Sequence, residues 1–173
     1  MEQSDSDGRD VISFRPIGRF RTPHTLPERT PIQPCFAAGC VGRVEIFPEY
    51  EEGLQDIEGF SHVIVLYHLH RAGPVSLKVR PFLEDRLHGV FATRHTRRPN
   101  PLGLSVLRLI KREGRVLVLD GVDVLDGTPV LDVKPFVSRF DVPNEVRNGW
   151  IEGVAEQEAW RRGRRETKTG DET

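Results

Sequence analysis

Between Gly89 and Ser105 the chain reads GVFATRHTRRPNPLGLS, which sets Arg94, His95, Arg97 and Arg98 directly before a Pro-Asn-Pro. Guanidinium groups present planar forks that match carboxylate and phosphate, so this stretch is suited to gripping an anion. Each proline fixes its own φ at about −65°, removes an N–H donor and pushes the preceding residue out of the helical region. Pro99-Asn100-Pro101 therefore stiffens the loop, and Gly103 allows close backbone approach before the next strand. A loop ordered in advance loses less entropy when it closes on a ligand. The same residues also make a plain turn with a solvated basic surface, and loop chemistry alone goes no further than an anionic ligand.

Other reactive side chains are scattered. His68 and His70 alternate along SHVIVLYHLH, Asp126 opens an Asp-Gly turn, and Asp132 and Lys134 share one strand face. Each has a plain structural reading: half-buried histidines, an ordinary turn pair, a surface ion pair. Cys35 and Cys40 lie five residues apart with no second pair to complete a metal site, and they read as thiols in a reducing compartment. No Gly-x-Gly-x-x-Gly follows a strand, which argues against a Rossmann nucleotide site.

These groups need a scaffold, and the pattern that supplies it is mostly β. At 173 residues, 37% hydrophobic and 29% charged, the chain has the size and composition of one globular domain with short tails. Its longest apolar run, VIVLY at 63–67, is too short for a membrane helix, and the polar, acidic start is no secretory signal, so a cytoplasmic protein is expected. The net charge of −1 exerts no global pull on nucleic acid, yet basic residues cluster at Arg94–Arg98 and at Trp160–Arg165. Strands are expected at 14–21, 35–47, 61–70, on both sides of Glu113-Gly114 within 104–125, and at 128–136. Strand 61–70 is apolar on both faces and reads as a central strand. Pro48–Gly53 supports one helical turn, and Asn144–Arg161 is the main helical stretch. Many short strands with little helix predict a mainly β fold: a small closed or nearly closed β-barrel with short peripheral helices. The expected division is a disordered tail over 1–10, the barrel over 11–143, and a C-terminal helix with a basic tail over 144–173, of which 166–173 reads as disordered.

The loaded loop resembles the signature G-[VI]-F-A-T-R-x-x-x-R-P-N-P-[IL]-G of the TsaA-like family. DGTPVLDVKPF at 126–136 is similar to that family's second signature, and FRPIGRFRTP and GFSHVIVLYHLH match weaker family patterns in the same order. The resemblance spans roughly residues 12–142. It implies a non-Rossmann β-barrel that binds S-adenosyl-L-methionine, works as a homodimer with its site near the subunit interface, and methylates N6 of threonylcarbamoyladenosine beside the anticodon of tRNA. By position, the implied cofactor contacts are Ile32, Gln33, Pro34, His70, Arg71, Arg94, Leu104, Asp120, Gly121, Val122 and Asp123. Ile32 replaces a common family arginine and Arg71 a common glutamine. Substrate contacts are expected from Arg97, Arg98, Asn100 and Lys134. Methyl transfer to a carbamoylated N6 gains from a base, for which Asp126, Asp132, His68 and His70 are candidates. The Trp160–Arg165 cluster is expected either to touch tRNA phosphates, in place of the C-terminal domain of larger members, or to be a solvated terminus. The same resemblance leaves open a methyltransferase for a small molecule or another nucleotide, and a regulatory module that binds the cofactor without catalysis.

Overall fold

The computed structural model describes residues 3–4 and 10–165, so most of the expected disordered stretches, 1–10 and 166–173, lie outside the described residues. Six strands form the fold: β1 (Gly18–Arg21), β2 (Val41–Ile46), β3 (His62–His68), β4 (Leu102–Glu113), β5 (Val116–Asp120) and β6 (Pro129–Pro135). They close into an antiparallel barrel in the order β6-β1-β2-β5-β4-β3. The predicted barrel is thus the observed architecture. Two ribbons of two-residue strands, 3–4 with 10–11 and 78–79 with 88–89, sit outside it.

Alternation builds the interior. Phe20, Val44, Val63, Val65, Leu107, Leu117 and Leu119 are fully buried inside the barrel. Phe20 meets Tyr67 edge-on with ring centroids 5.6 Å apart. Strand β3 departs from the reading of a strand buried on both sides: Val63, Val65 and Tyr67 face the interior, while Ile64 and Leu66 on the outer wall are only half-buried. A single closed sheet has no second layer to cover that wall.

Prolines and glycines shift the expected boundaries. The chain around Cys35 starts as a 3-10 turn, Pro34–Ala37, and becomes strand only at Val41. The helical stretch expected at 144–161 is split into a 3-10 turn, Gly149–Gly153, and a helix, Glu156–Arg164. The two glycines that weaken helix propensity bound the 3-10 turn. A further short helix covers Ser138–Asp141.

One rim of the barrel gathers the loops of interest. There β1, β3 and β5 end and β2, β4 and β6 begin, so the connections 22–40, 69–101 and 121–128 all cross the same mouth. Every residue expected to contact the cofactor lies on these connections or on the adjoining strand ends.

Candidate functional site

At this mouth the structure brings together Gln33, Arg94 and Asp123. Arg94 comes from the stiff loop and donates to the Gln33 side-chain carbonyl. Asp123 lies just past the end of β5. Its carboxylate accepts a 2.7 Å hydrogen bond from Ser105 Oγ on β4, and Ser105 in turn lies 3.0 Å from the Tyr67 hydroxyl on β3. Three strands therefore contribute one buried polar chain, Tyr67–Ser105–Asp123, that leads from the apolar interior to the mouth.

The electrostatics of Asp123 are unusual. Part of the residue remains accessible, yet desolvation of its carboxyl outweighs the Ser105 hydrogen bond, its own backbone N–H and the positive charge of Arg94, and the pKa is pushed up to about 7. No ion pair joins Asp123 to Arg94; the guanidinium lowers the carboxyl at longer range. Desolvation likewise pushes the Tyr67 hydroxyl upward, with the Asp123 charge adding to it. Burial also raises the Cys35 thiol, helped by Asp123, and this holds it in the unreactive protonated form.

Gly103 is what lets this chain form. It pairs with Tyr67 across β3 and β4, and a Cβ there would run into the Tyr67 ring. Gly103→Ala is expected to push the ring aside and cost about 1–3 kcal/mol by overpacking. A denaturation midpoint and the ultraviolet titration of Tyr67 check it; an unchanged midpoint would mean the ring moves freely.

A second group lies on the same rim. His70 Nδ1 is 3.2 Å from Thr128 Oγ1, and Arg71 donates to the Thr25 carbonyl at 2.9 Å. Burial first, then the neighbouring His68, Arg71 and Arg19, lower the His70 pKa and favour its neutral form. Asp126 Oδ1 accepts the Thr22 N–H at 3.0 Å and so closes its turn onto the end of β1. Beside it an open hollow of about 430 Å³ is lined by Arg21, Thr22, Pro23, Val41, Gly42, Arg43 and Asp126.

Other expected contacts have different surroundings. Asp120 spends both oxygens on structure: one accepts the Gly39 N–H at 2.9 Å, the other the Arg108 guanidinium at 2.9 Å. Gly121 lies under the Pro34 carbonyl, and Val122 is buried in the core. The Ile32 N–H is held by the Gly163 carbonyl at 3.0 Å. Leu104 points out of the barrel and is 51% exposed. Arg97 and Arg98 brace their own loop, donating at 2.8 Å to the carbonyls of Pro74 and Thr93. The Asn100 carbonyl accepts from the Leu102 N–H, which tightens the entry to β4. Lys134 and Asp132 pair at 2.6 Å on the outer wall, Asp132 opposite Leu66. Of the four candidate bases, Asp132 is therefore engaged in an outer-wall ion pair; His68 is exposed at the end of β3.

Sequence reasoning missed Tyr67, Ser105 and His24, whose ring nitrogen lies 2.8 Å from the Val122 carbonyl. A serine in the otherwise apolar inward row of β4 is the signal that was there to read. Among the described residues no three metal-binding side chains converge, and no helix is long and apolar enough to cross a membrane.

The arrangement suits a ligand that carries both charges. A cation near Asp123 would relieve a desolvated carboxyl that forms no ion pair among the described residues, and a carboxylate would satisfy the Arg94 fork. Comparison with known proteins bears on the ligand. The family described as the tRNA-methyltransferase O N-terminal domain matches residues 19–142. A probable S-adenosyl-L-methionine-binding protein of Pyrococcus abyssi is 52% identical over 142 residues, covering 82% of this chain and 77% of that protein. A human tRNA (adenine(37)-N6)-methyltransferase is 38% identical over 138 residues, which cover 76% of this chain but only 31% of the human one. Among solved structures, TrmO from Pseudomonas aeruginosa superposes with a TM-score of 0.68 at 39% identity, covering 81% of this chain and 62% of that one.

Proposed function

This chain belongs to the tRNA-methyltransferase O N-terminal domain family, and we propose that it methylates N6 of the adenosine beside the anticodon of tRNA, in its threonylcarbamoyl form, with S-adenosyl-L-methionine as donor. The observation that carries the reading is the raised Asp123 carboxyl beside Arg94 at the loop-lined mouth of a family-type barrel. When bound, S-adenosyl-L-methionine supplies an electrophilic methyl group on a sulfonium. Arg94 is the group suited to its carboxylate and Asp123 to its ammonium or a ribose hydroxyl, with Gln33 orienting Arg94. Alignment of acceptor and methyl is the main catalytic task, and the rigid loop serves it.

Proton handling is the second task. Asp123, with a pKa of about 7, is a rim group able to take up or release a proton near neutral pH, and Ser105 and Tyr67 fix its orientation. His70, held neutral and facing Thr128, is the alternative acceptor on the same rim. Arg97, Arg98 and Asn100 form the surface offered to the RNA, and a tRNA substrate implies a cytoplasmic enzyme.

Exposed apolar groups support a homodimer. Phe91 is 76% exposed in the signature loop, and Leu102 and Leu104 are uncovered on the wall beside it. Pairing of two copies over this face would bring Leu104 against the partner's mouth. Light scattering is expected to give a dimer mass, and Phe91→Asp a monomer; a wild-type monomer at micromolar concentration would contradict the pairing.

The activity is tested with methyl-labelled S-adenosyl-L-methionine and two tRNA pools, with and without the threonylcarbamoyl group. Label is expected only in the modified pool. Label in both pools, or in a small molecule alone, would overturn the substrate.

A further inference from the structure

Residues 143–165 lie beyond the stretch matched by the family, yet they fasten the two loops that carry Gln33 and Arg94 to the mouth. In the last turn of helix Glu156–Arg164, the Gly163 carbonyl accepts the N–H of Ile32, immediately before Gln33. Gly163 is itself buried, and a Cβ on it would collide with the ring of Phe36. Trp160 meets the same Phe36 ring edge-on at 5.4 Å.

The segment also reaches the Arg94 loop. Trp150 donates its indole N–H to the Ala92 carbonyl at 2.8 Å and stacks on His88 at 4.8 Å. The Arg165 guanidinium lies 4.0 Å over Phe82, whose other stacking partner is His95, the residue after Arg94. Arg162 adds a 3.2 Å pair to Asp85. Of the C-terminal cluster, Arg162 and Arg165 hold loops, Arg161 pairs with Glu158 and Arg164 lies over the Trp160 ring, which disfavours a loose polyelectrolyte tail.

We propose that segment 149–165 is a strap that presets Gln33 and Arg94 for the cofactor, with Trp160 and Gly163 as positioning residues acting through Phe36. Between themselves the two loops are joined through the side chains of Arg94, on Gln33, and Arg71, on the Thr25 carbonyl; the continuous segment 149–165 braces both from outside. Presetting of this kind acts on ligand affinity, because the ordering cost is met before binding. The inference rests on the cofactor site proposed above.

The test uses the full chain with Trp160→Ala, Trp160→Phe and Gly163→Ala, S-adenosyl-L-methionine affinity by calorimetry, and hydrogen exchange by region. Trp160→Ala and Gly163→Ala are expected to weaken binding about tenfold while the turnover number at saturating cofactor stays within about twofold. Trp160→Phe, which keeps an aromatic edge against Phe36, is expected to recover most of the affinity. Exchange should rise at 30–37 and 92–98 and remain unchanged in β2 and β5. Wild-type affinity in both disruptive variants, or faster exchange spread evenly over the barrel, would overturn the strap. Absence of cofactor binding by the wild-type protein would instead overturn the site, and the exchange pattern would still decide the strap.

Discussion

Asp123→Asn is expected to lower methyl transfer about 100-fold at pH 8 while making the protein more stable at that pH. The stability half follows from proton linkage. The carboxyl titrates near 3.8 when unperturbed and at about 7 in the fold, so the folded protein holds the proton more tightly. Its contribution is full below pH 3.8 and is lost as pH rises through 7, because ionisation leaves a poorly solvated charge. A shift of this size corresponds to on the order of 4 kcal/mol. Asparagine stays neutral and still accepts from Ser105, so the variant escapes the loss. Urea midpoints of both proteins between pH 4 and 9 check it: they should nearly coincide near pH 4, diverge steadily up to about pH 7 and stay apart by a constant amount above it. Parallel curves would show that the Asp123 carboxyl is not desolvated. The opposed signs of the two effects, gain in stability and loss in activity, are what a functional group kept at an energetic cost should give.

Arg94→Ala is expected to weaken S-adenosyl-L-methionine binding by roughly 10–100-fold, the value of about 1.5–3 kcal/mol for hydrogen bonds to a charged group. Arg94→Lys keeps the charge but loses the fork, so it should recover only part of the affinity. Because Arg94 also holds Gln33 in the free protein, Gln33→Ala serves as the control, with a loss of a few fold expected. Calorimetric affinities for the three variants check the ranking. Equal affinity of Arg94→Ala and wild type would remove Arg94 from the site.

The barrel was legible because its strands carry clean signals. Alternation in 62–68, the Glu113-Gly114 turn and the Asp126-Gly127 turn each appear in the structure within a few residues of the expected place. The cofactor contacts implied by the signature letters also gather on one rim, since the strand ends and loops that carry them fold to one mouth. What stayed hidden is what depends on three-dimensional pairing. Ser105 and Tyr67 are unremarkable letters until register places Gly103 opposite Tyr67 and Asp123 beside Ser105. Nor does charge by type reveal its use: Arg97 and Arg98 are expected at the substrate and Arg162 in a basic cluster, yet each binds a carbonyl or carboxylate of its own fold. The split of 144–161 into a 3-10 turn and a helix follows the weakening glycines Gly149 and Gly153, but the anchoring of Trp150 and Gly163 onto the mouth loops is tertiary and local propensity does not encode it.

The proposed cofactor site depends on Asp123 as its titrating group, and carbon-13 NMR of the side-chain carboxyl reads that directly. In the protein alone the carboxyl signal should titrate with a midpoint near 7. Saturating S-adenosyl-L-methionine, which brings a sulfonium and an ammonium, should move that midpoint down by about one unit or more, since nearby positive charge favours the carboxylate. A midpoint near 4 in the free protein, or one near 7 that saturating cofactor leaves untouched, would contradict the account.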